Sequence, residues 1–168
     1  MSFSMNHPSD GSVAWSSAVD GNWTTLENEL TEYSCAVYNS TTQALSANTD
    51  TALSFDSELY NNGAIHSTTT NKSRITVSVS GRYLFWANVV TDSSGQNLQQ
   101  WFRINGSAVT GYVHSQLSTG ERFDFGLTVV LNLNANDYVE IVVNSQTACN
   151  VSSGSGSGGT LYGATRLA

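Results

Sequence analysis

The sequence predicts an all-β fold, an antiparallel sandwich or jelly roll of roughly eight to ten short strands. Three observations carry that prediction. In residues 74–89, RITVSVSGRYLFWANV, the odd positions Ile75, Val77, Val79, Tyr83, Phe85, Ala87 and Val89 are apolar, which is the two-residue period of a pleated strand. Phe123, Phe125, Leu127, Val129, Leu131 and Leu133 keep one parity in the same way. Asn105-Gly106 follows an apolar-rich stretch and reads as a hairpin, because a type I′ turn requires positive φ at both central residues.

The stretch 74–89 changes character midway. Before Gly81 the even positions Arg74, Thr76, Ser78 and Ser80 are polar, so one face is buried and the other wet. After it, Leu84 and Trp86 make the even set apolar too, and a strand apolar on both faces needs cover on both sides.

The remaining elements follow in chain order. Residues 1–32 hold no basic residue, the only proline, Pro8, and two tryptophans, Trp15 and Trp23. This is an extended arm, with turn chemistry at residues 19–22. Thr24 and Glu27 stand as in a capping box, which marks a possible short helix with Leu26 and Leu30 on one side. Strands are expected at Ser34–Tyr38 and at 51–55, with residues 59–63 as a turn or loop. Leu98–Ile104 is a strand ending in the Asn105-Gly106 turn, with 109–114 returning. Phe123–Leu133 is the long strand, 134–137 a turn, 138–143 its return and 161–167 the last strand. Ser152-Ser153-Gly154-Ser155-Gly156-Ser157-Gly158-Gly159 has no side chains for a core and reads as a flexible loop.

At 168 residues the chain suits one cored domain. Charged residues make up 11% and the net charge is −7, with all six basic residues after position 71. No basic cluster exists to neutralise phosphate, which argues against nucleic acid and against an anionic membrane surface as partners. The opening Met-Ser-Phe-Ser-Met has no basic region followed by an apolar stretch, so no secretory leader is read there. Cys35 and Cys149 are expected to be buried free thiols, since two cysteines make no disulfide framework.

No catalytic residue emerges. His7, His66 and His114 stand singly, without zinc-ligand spacing. There is no nucleophile elbow, phosphate loop or dinucleotide fingerprint. Asp56 and Glu58 are alternate residues that could form a carboxylate pair, but a solvated edge is the stronger reading. Asp92, Glu121 and Asp124 could offer oxygens to calcium, though no loop has the ligand density of a calcium-binding loop. Sequons begin at Asn22, Asn39, Asn71, Asn105 and Asn150, as expected by chance in a chain this rich in Asn, Ser and Thr. The chain is read as a non-enzyme with no metal and no cofactor.

Phe55, Asn61, Gly81-Arg82-Tyr83-Leu84-Phe85, Asn136-Asp137-Tyr138-Val139-Glu140 and Leu161-Tyr162-Gly163 stand in the order and rough spacing of the complement globular-head domain. Residues 33–168 resemble that family, which shares the tumour-necrosis-factor jelly roll. Two positions depart from its pattern: His66 stands near where an aromatic is preferred, and Ala87 replaces an aromatic. The chain also lacks the Gly-X-Y repeat of the collagen stalk that animal members commonly follow. The resemblance implies a jelly roll of about ten strands assembling as a compact trimer about a three-fold axis. It makes Tyr83, Phe85, Trp86, Trp101, Phe125, Tyr138 and Tyr162 trimer-interface or core residues. Parity leaves open whether Tyr83, Phe85 and Ala87 face the core or the axis, with Leu84 and Trp86 taking the opposite surface.

The functional expectation is a structural virion protein of a bacteriophage. It would be a homotrimer on the outer capsid surface that decorates or cements the capsid. Its arm would dock on the major capsid protein or another virion protein through Trp15, Trp23, Leu26 and Leu30. The alternative is the receptor-binding tip of a phage fibre, reading host glycan or protein through loops 91–96, 115–121 and 152–159. A cellular complement-like or cytokine-like ligand ranks third, since it requires an export route.

Overall fold

Alternation along the chain becomes two antiparallel sheets packed around one apolar core. The structure is a computed structural model that describes residues 32–92, 97–108, 113–115, 123–156 and 158–167. The arm, its turn and short helix, and Trp15, Trp23, Leu26 and Leu30 lie outside the described residues.

Thirteen strand segments are present and no helix among the described residues. They are β1 (Ser34–Tyr38), β2 (Gln43–Leu45), β3 (Thr51–Ala52), β4 (Ser57–Asn62), β5 (Arg74–Thr76), β6 (Gly81–Thr91) and β7 (Leu98–Ile104). There follow β8 (Ser107–Ala108), β9 (Val113–Ser115), β10 (Phe123–Leu133), β11 (Tyr138–Asn144), β12 (Cys149–Val151) and β13 (Leu161–Arg166). In the first sheet β6 lies between β10 and β13, and β13 is followed by β1 and then β4. At Thr91 the same strand meets β12, which carries β2. In the second sheet β11 lies between β7 on one side and β3 and β5 on the other, and β7 also pairs with β8 and β9. The chain changes sheet repeatedly, as in a jelly roll.

The inward parity of both sheets meets in an aromatic cluster. The Tyr162 ring lies 5.4 Å from Phe55, 6.3 Å from Phe85 and 6.2 Å from Phe102, in tilted arrangements that suit the ring quadrupoles. Its hydroxyl donates to the carbonyl of Val139 at 3.0 Å, tying β13 of one sheet to β11 of the other. Cys35 and Cys149 are buried and free. Burial pushes the Cys35 thiol up to about 12 and raises Cys149 as well, so both are inert, protonated packing groups.

Several elements differ from expectation. Residues 74–89 are not one strand: β5 belongs to the second sheet and β6 to the first, with the crossing at residues 77–80. Parity survives the crossing because both sheets point the same alternate residues at one core. This split and the short segments β2, β8 and β12 bring the number above the expected ten or so. Residues 59–63 are not a loop, since 57–62 form the edge strand β4. A polar edge strand needs no alternation, and Asn61 there accepts the amides of Ile65 and His66 through its own Oδ1. The expected strand at 51–55 is laddered only at Thr51–Ala52, although Leu53 and Phe55 are fully buried as anticipated. The return after the hairpin begins at once with Ser107, because Asn105 (φ 49°) and Gly106 (φ 82°) make the tight turn themselves. Residues 109–112 of the expected strand lie outside the described residues. The short strands β2 and β12, three residues each, carried no sequence signal, although Leu45, Cys149 and Val151 on them reach the core.

The loop after β12 is not a linker. Ser152 donates its amide to the Val90 carbonyl at 2.7 Å, Gly154 to Asn39 at 2.8 Å and Gly159 to Gly156 at 2.9 Å. A Cβ on Gly159 would stand 1.9 Å from the carbonyl oxygen of Gly154, and backbone cannot yield as a flexible side chain would. Gly159→Ala is therefore expected to cost about 2 kcal/mol of stability, read as a lowered midpoint in urea unfolding. An unchanged midpoint would show the loop to be as free as its composition suggested.

Candidate functional site

The two outer faces of the sandwich differ in chemistry, and the middle of the first is the candidate site. On the first sheet the outward parity is set by register. One row runs Thr128, Trp86, Gly163, Ala36, Tyr60 across five strands. The next runs Val130, Leu84, Thr165, Ser34, Asn62, and a third Gly126, Asn88, Leu161, Tyr38, Ser57. None of these residues is charged, and the same parity ends in charge at both margins, at exposed Arg82 opposite Asn132 and at exposed Asp124 opposite Val90. Val130 is 52% exposed and Tyr60 44%, and Leu59 beside it on β4 is 52% exposed. Leu84 and Trp86 are half-buried.

Trp86 lies flat against this face because of Gly163. A Cβ on Gly163 would come within 2.6 Å of the indole and of the Cys35 carbonyl oxygen. Only a residue without a side chain lets the ring settle across β13. The middle of the face thus carries no charge, with an aromatic flanked by Leu84 and Val130 and by the polar Thr128, Thr165 and Asn88. Charge depletion and aromatic enrichment are the composition of an interface core.

The outer face of the second sheet meets its own needs. Arg74 pairs with Glu140 at 3.2 Å and stacks 3.9 Å from the centre of the Tyr138 ring, and Ser73 also donates to Glu140 at 2.7 Å. Arg103 pairs with Asp50 at 2.7 Å and lies 5.5 Å from the Trp101 ring centre. Asp50 accepts from Asn144 as well, at 2.8 Å. Glu140 is buried and its charge is held by Arg74 and Ser73 rather than by water, whereas the more exposed Arg103–Asp50 pair adds little stability.

The expected interface-or-core residues therefore sort into three places. Tyr83, Phe85, Phe125 and Tyr162 are in the sandwich core. Trp86 is on the uncharged face. Trp101 and Tyr138 are on the opposite face, half-buried beneath arginines. For Tyr83 the open choice closes: the ring is fully buried inside the sandwich, its hydroxyl donating to the Val79 carbonyl at 2.8 Å. Missed in the sequence were Tyr60 and Val130. Val130 belongs to the even parity of a strand whose odd parity carries the regular apolar series, and Tyr60 stood in an expected loop.

The polar candidates do not converge. Asp56 accepts from the amide and hydroxyl of Ser40, each at 2.8 Å, whereas Glu58 accepts from His66 Nδ1 at 3.0 Å and Asn61 Nδ2 at 3.0 Å. They are not a catalytic pair, because each serves a different loop. His66 is not alone: it is buried between Glu58 and the Lys72 carbonyl. Asp92 accepts from the amide and side chain of Asn150, Asp124 is exposed and Glu121 lies outside the described residues. Among the described residues no three metal-ligating side chains gather.

Two exposed carboxylates hold turns in place. The amide and hydroxyl of Ser40 lower the Asp56 carboxyl below 3.8, and Asn105 with the Asn134 amide does the same for Asp137. A depressed carboxyl contributes stability above its ordinary value, and that stability is lost as pH falls through the folded value. Acid unfolding is thus expected to begin below about pH 4. Asp56→Asn and Asp137→Asn should each flatten the acid limb of a stability–pH curve; identical limbs would refute the assignment.

Comparison by sequence gives no match to any protein-family model or to any curated protein. Comparison by structure does. Murine APRIL superposes with a TM-score of 0.63 at 13% identity, over 81% of this chain and 99% of that one. The globular domain of zebrafish complement 1qA gives 0.58 at 14%, over 78% and 94%. Eiger TNF from S. frugiperda gives 0.57 at 14%, over 82% and 94%. At these identities the likeness is one of fold, and the chain is a jelly roll of the tumour-necrosis-factor and complement globular-head type.

Proposed function

We propose that the chain is a non-enzymatic structural virion protein, a homotrimeric head that decorates or cements the outer surface of a bacteriophage capsid. The observation that carries the self-association is the uncharged face around Trp86, with Tyr60 and Val130 exposed, set against an ion-paired face on the other sheet. A second copy of the same head set on the middle of that face covers Trp86, Leu84 and Val130 while Arg82 and Asp124 stay at its margins. The cyclic trimer is the assembly implied by the family resemblance.

The capsid role rests on residues 1–32, acidic and bearing Trp15 and Trp23. Three arms joined to one head raise the effective affinity of each, by about a hundredfold or more for tethered sites. Trp15, Trp23, Leu26 and Leu30 are the anchoring groups, and the partner is the major capsid protein or another virion protein.

Two measurements test this reading in order. Sedimentation velocity of the full chain is expected to give a trimer mass; a monomer at micromolar concentration overturns the assembly. Deleting residues 1–32 is expected to leave the trimer and abolish capsid occupancy. Occupancy that survives the deletion would remove the arm, and the cementing role with it.

A further inference from the structure

We propose that His66 is a proton-operated latch on the crossover between the two sheets, closed when its ring is doubly protonated and loosened when it is neutral. Residues 63–73 carry the chain from β4, at the edge of the first sheet, to β5 in the second. The imidazole sits in this segment with no exposed surface. Its Nδ1 is 3.0 Å from Glu58 Oε1 on β4, and its Nε2 is 3.2 Å from the carbonyl oxygen of Lys72 near the start of β5.

Both partners can only accept. The imidazolium donates from both nitrogens and satisfies both oxygens, whereas a neutral ring donates from one and turns a lone pair toward an oxygen at the other. In a buried setting that mismatch costs the lost bond and leaves an acceptor unserved. The ring thus holds the two ends of the crossover together only in its charged form.

The surroundings transmit the ring's state to the backbone. Asn61 donates to Glu58 and to the His66 carbonyl, and accepts from the amides of Ile65 and His66. His66 bridges Ile75, and Thr76 donates to the Ile65 carbonyl at 2.7 Å. The ionisable groups around the latch are Glu58 itself, Lys72, Asp56, which feels Lys72, and Cys35 on the adjacent β1, which feels Glu58. The same β4 carries the exposed Leu59 and Tyr60, so the latch sets how firmly that edge is held.

Nuclear magnetic resonance on the full chain tests the latch. Ring nitrogen shifts of the three histidines are followed against pH, with His66→Gln identifying the His66 signals. Amide exchange at His66 and Thr76 is measured alongside and corrected for its intrinsic pH dependence. Both His66 nitrogens are expected to report a protonated ring while the crossover is protected. Protection is expected to fall by about tenfold or more as the ring loses its second proton, the effect of one charge-assisted bond. Flat protection across the ring's titration, or a neutral ring while protection is complete, overturns the proposal. If His66→Gln does not fold, Glu58→Gln supplies the second test. It keeps an acceptor but removes the charge, and should move the ring's titration to lower pH; an unmoved titration also overturns the latch.

Discussion

Tyr83→Asp is expected to unfold the domain, with no intact monomer released on the way. The ring is fully buried between the sheets, 6.4 Å from Phe85, and its hydroxyl is bonded to the Val79 carbonyl. Removing a buried aromatic costs about 3–5 kcal/mol, and placing a carboxylate in the vacated space adds a desolvation penalty. That sum is comparable to the whole stability of a typical domain, about 5–15 kcal/mol. Circular dichroism and urea unfolding check it: native spectra with an unchanged midpoint would place Tyr83 outside the core. Tyr83→Phe separates the two contributions. It keeps the ring and loses one hydrogen bond, for an expected cost of about 1 kcal/mol.

Val130→Asp is expected to do the reverse, leaving the fold and dissolving the assembly. Val130 is 52% exposed on β10, so an aspartate there meets water in the monomer and takes little from the core. In the proposed trimer it would place three like, partly desolvated charges on the middle of that face, an unpaired burial that costs several kcal/mol. The association constant should therefore fall by about a hundredfold or more, since each 1.4 kcal/mol is tenfold. Thermal unfolding of the isolated head should change by only a few degrees. A variant that remains trimeric at micromolar concentration would show that another surface joins the subunits. Asp50→Ala on the opposite sheet is the control; it breaks the Arg103 pair and should leave the mass unchanged.

The two variants differ because of parity, and parity is where sequence and structure divide most clearly. Alternation at Tyr83, Phe85 and Ala87 was legible as a face that must be buried. Which of two available burials it took was not, because core and subunit contact demand the same apolar residues. The second sheet resolves it: Phe102 lies 6.3 Å from Phe85, so that face is closed within one chain. Leu84 and Trp86 are thereby left for the outside. Likewise Trp101 and Tyr138 read as interface or core residues, yet each sits by an arginine, Trp101 by Arg103 two residues on along β7 and Tyr138 by Arg74 of the neighbouring β5. Aromatic residues at strand positions look alike until their cross-strand neighbours are known.

The edge strand β4 and the crossover after it were the least legible parts. Glu58, Asn61 and His66 are polar and irregularly spaced, and their spacing suggests turn chemistry. Folding turns them into a closed hydrogen-bond network in which side chains replace ladder partners. Nothing in local sequence marks such a network, since its members meet only when residues 58 and 72 are brought around one ring.

The sequence by itself determined the class of fold, the long strands Phe123–Leu133 and Leu98–Ile104, the Asn105-Gly106 turn and most of the core. These follow from a two-residue period and from the φ demands of single residues, which are properties of neighbours along the chain. The tertiary structure decided which sheet each strand joined, which face was left uncharged, and how Gly163 seats Trp86 on it. Those depend on contacts between residues far apart in the chain, such as Cys35, Trp86 and Gly163, whose relation no local pattern encodes.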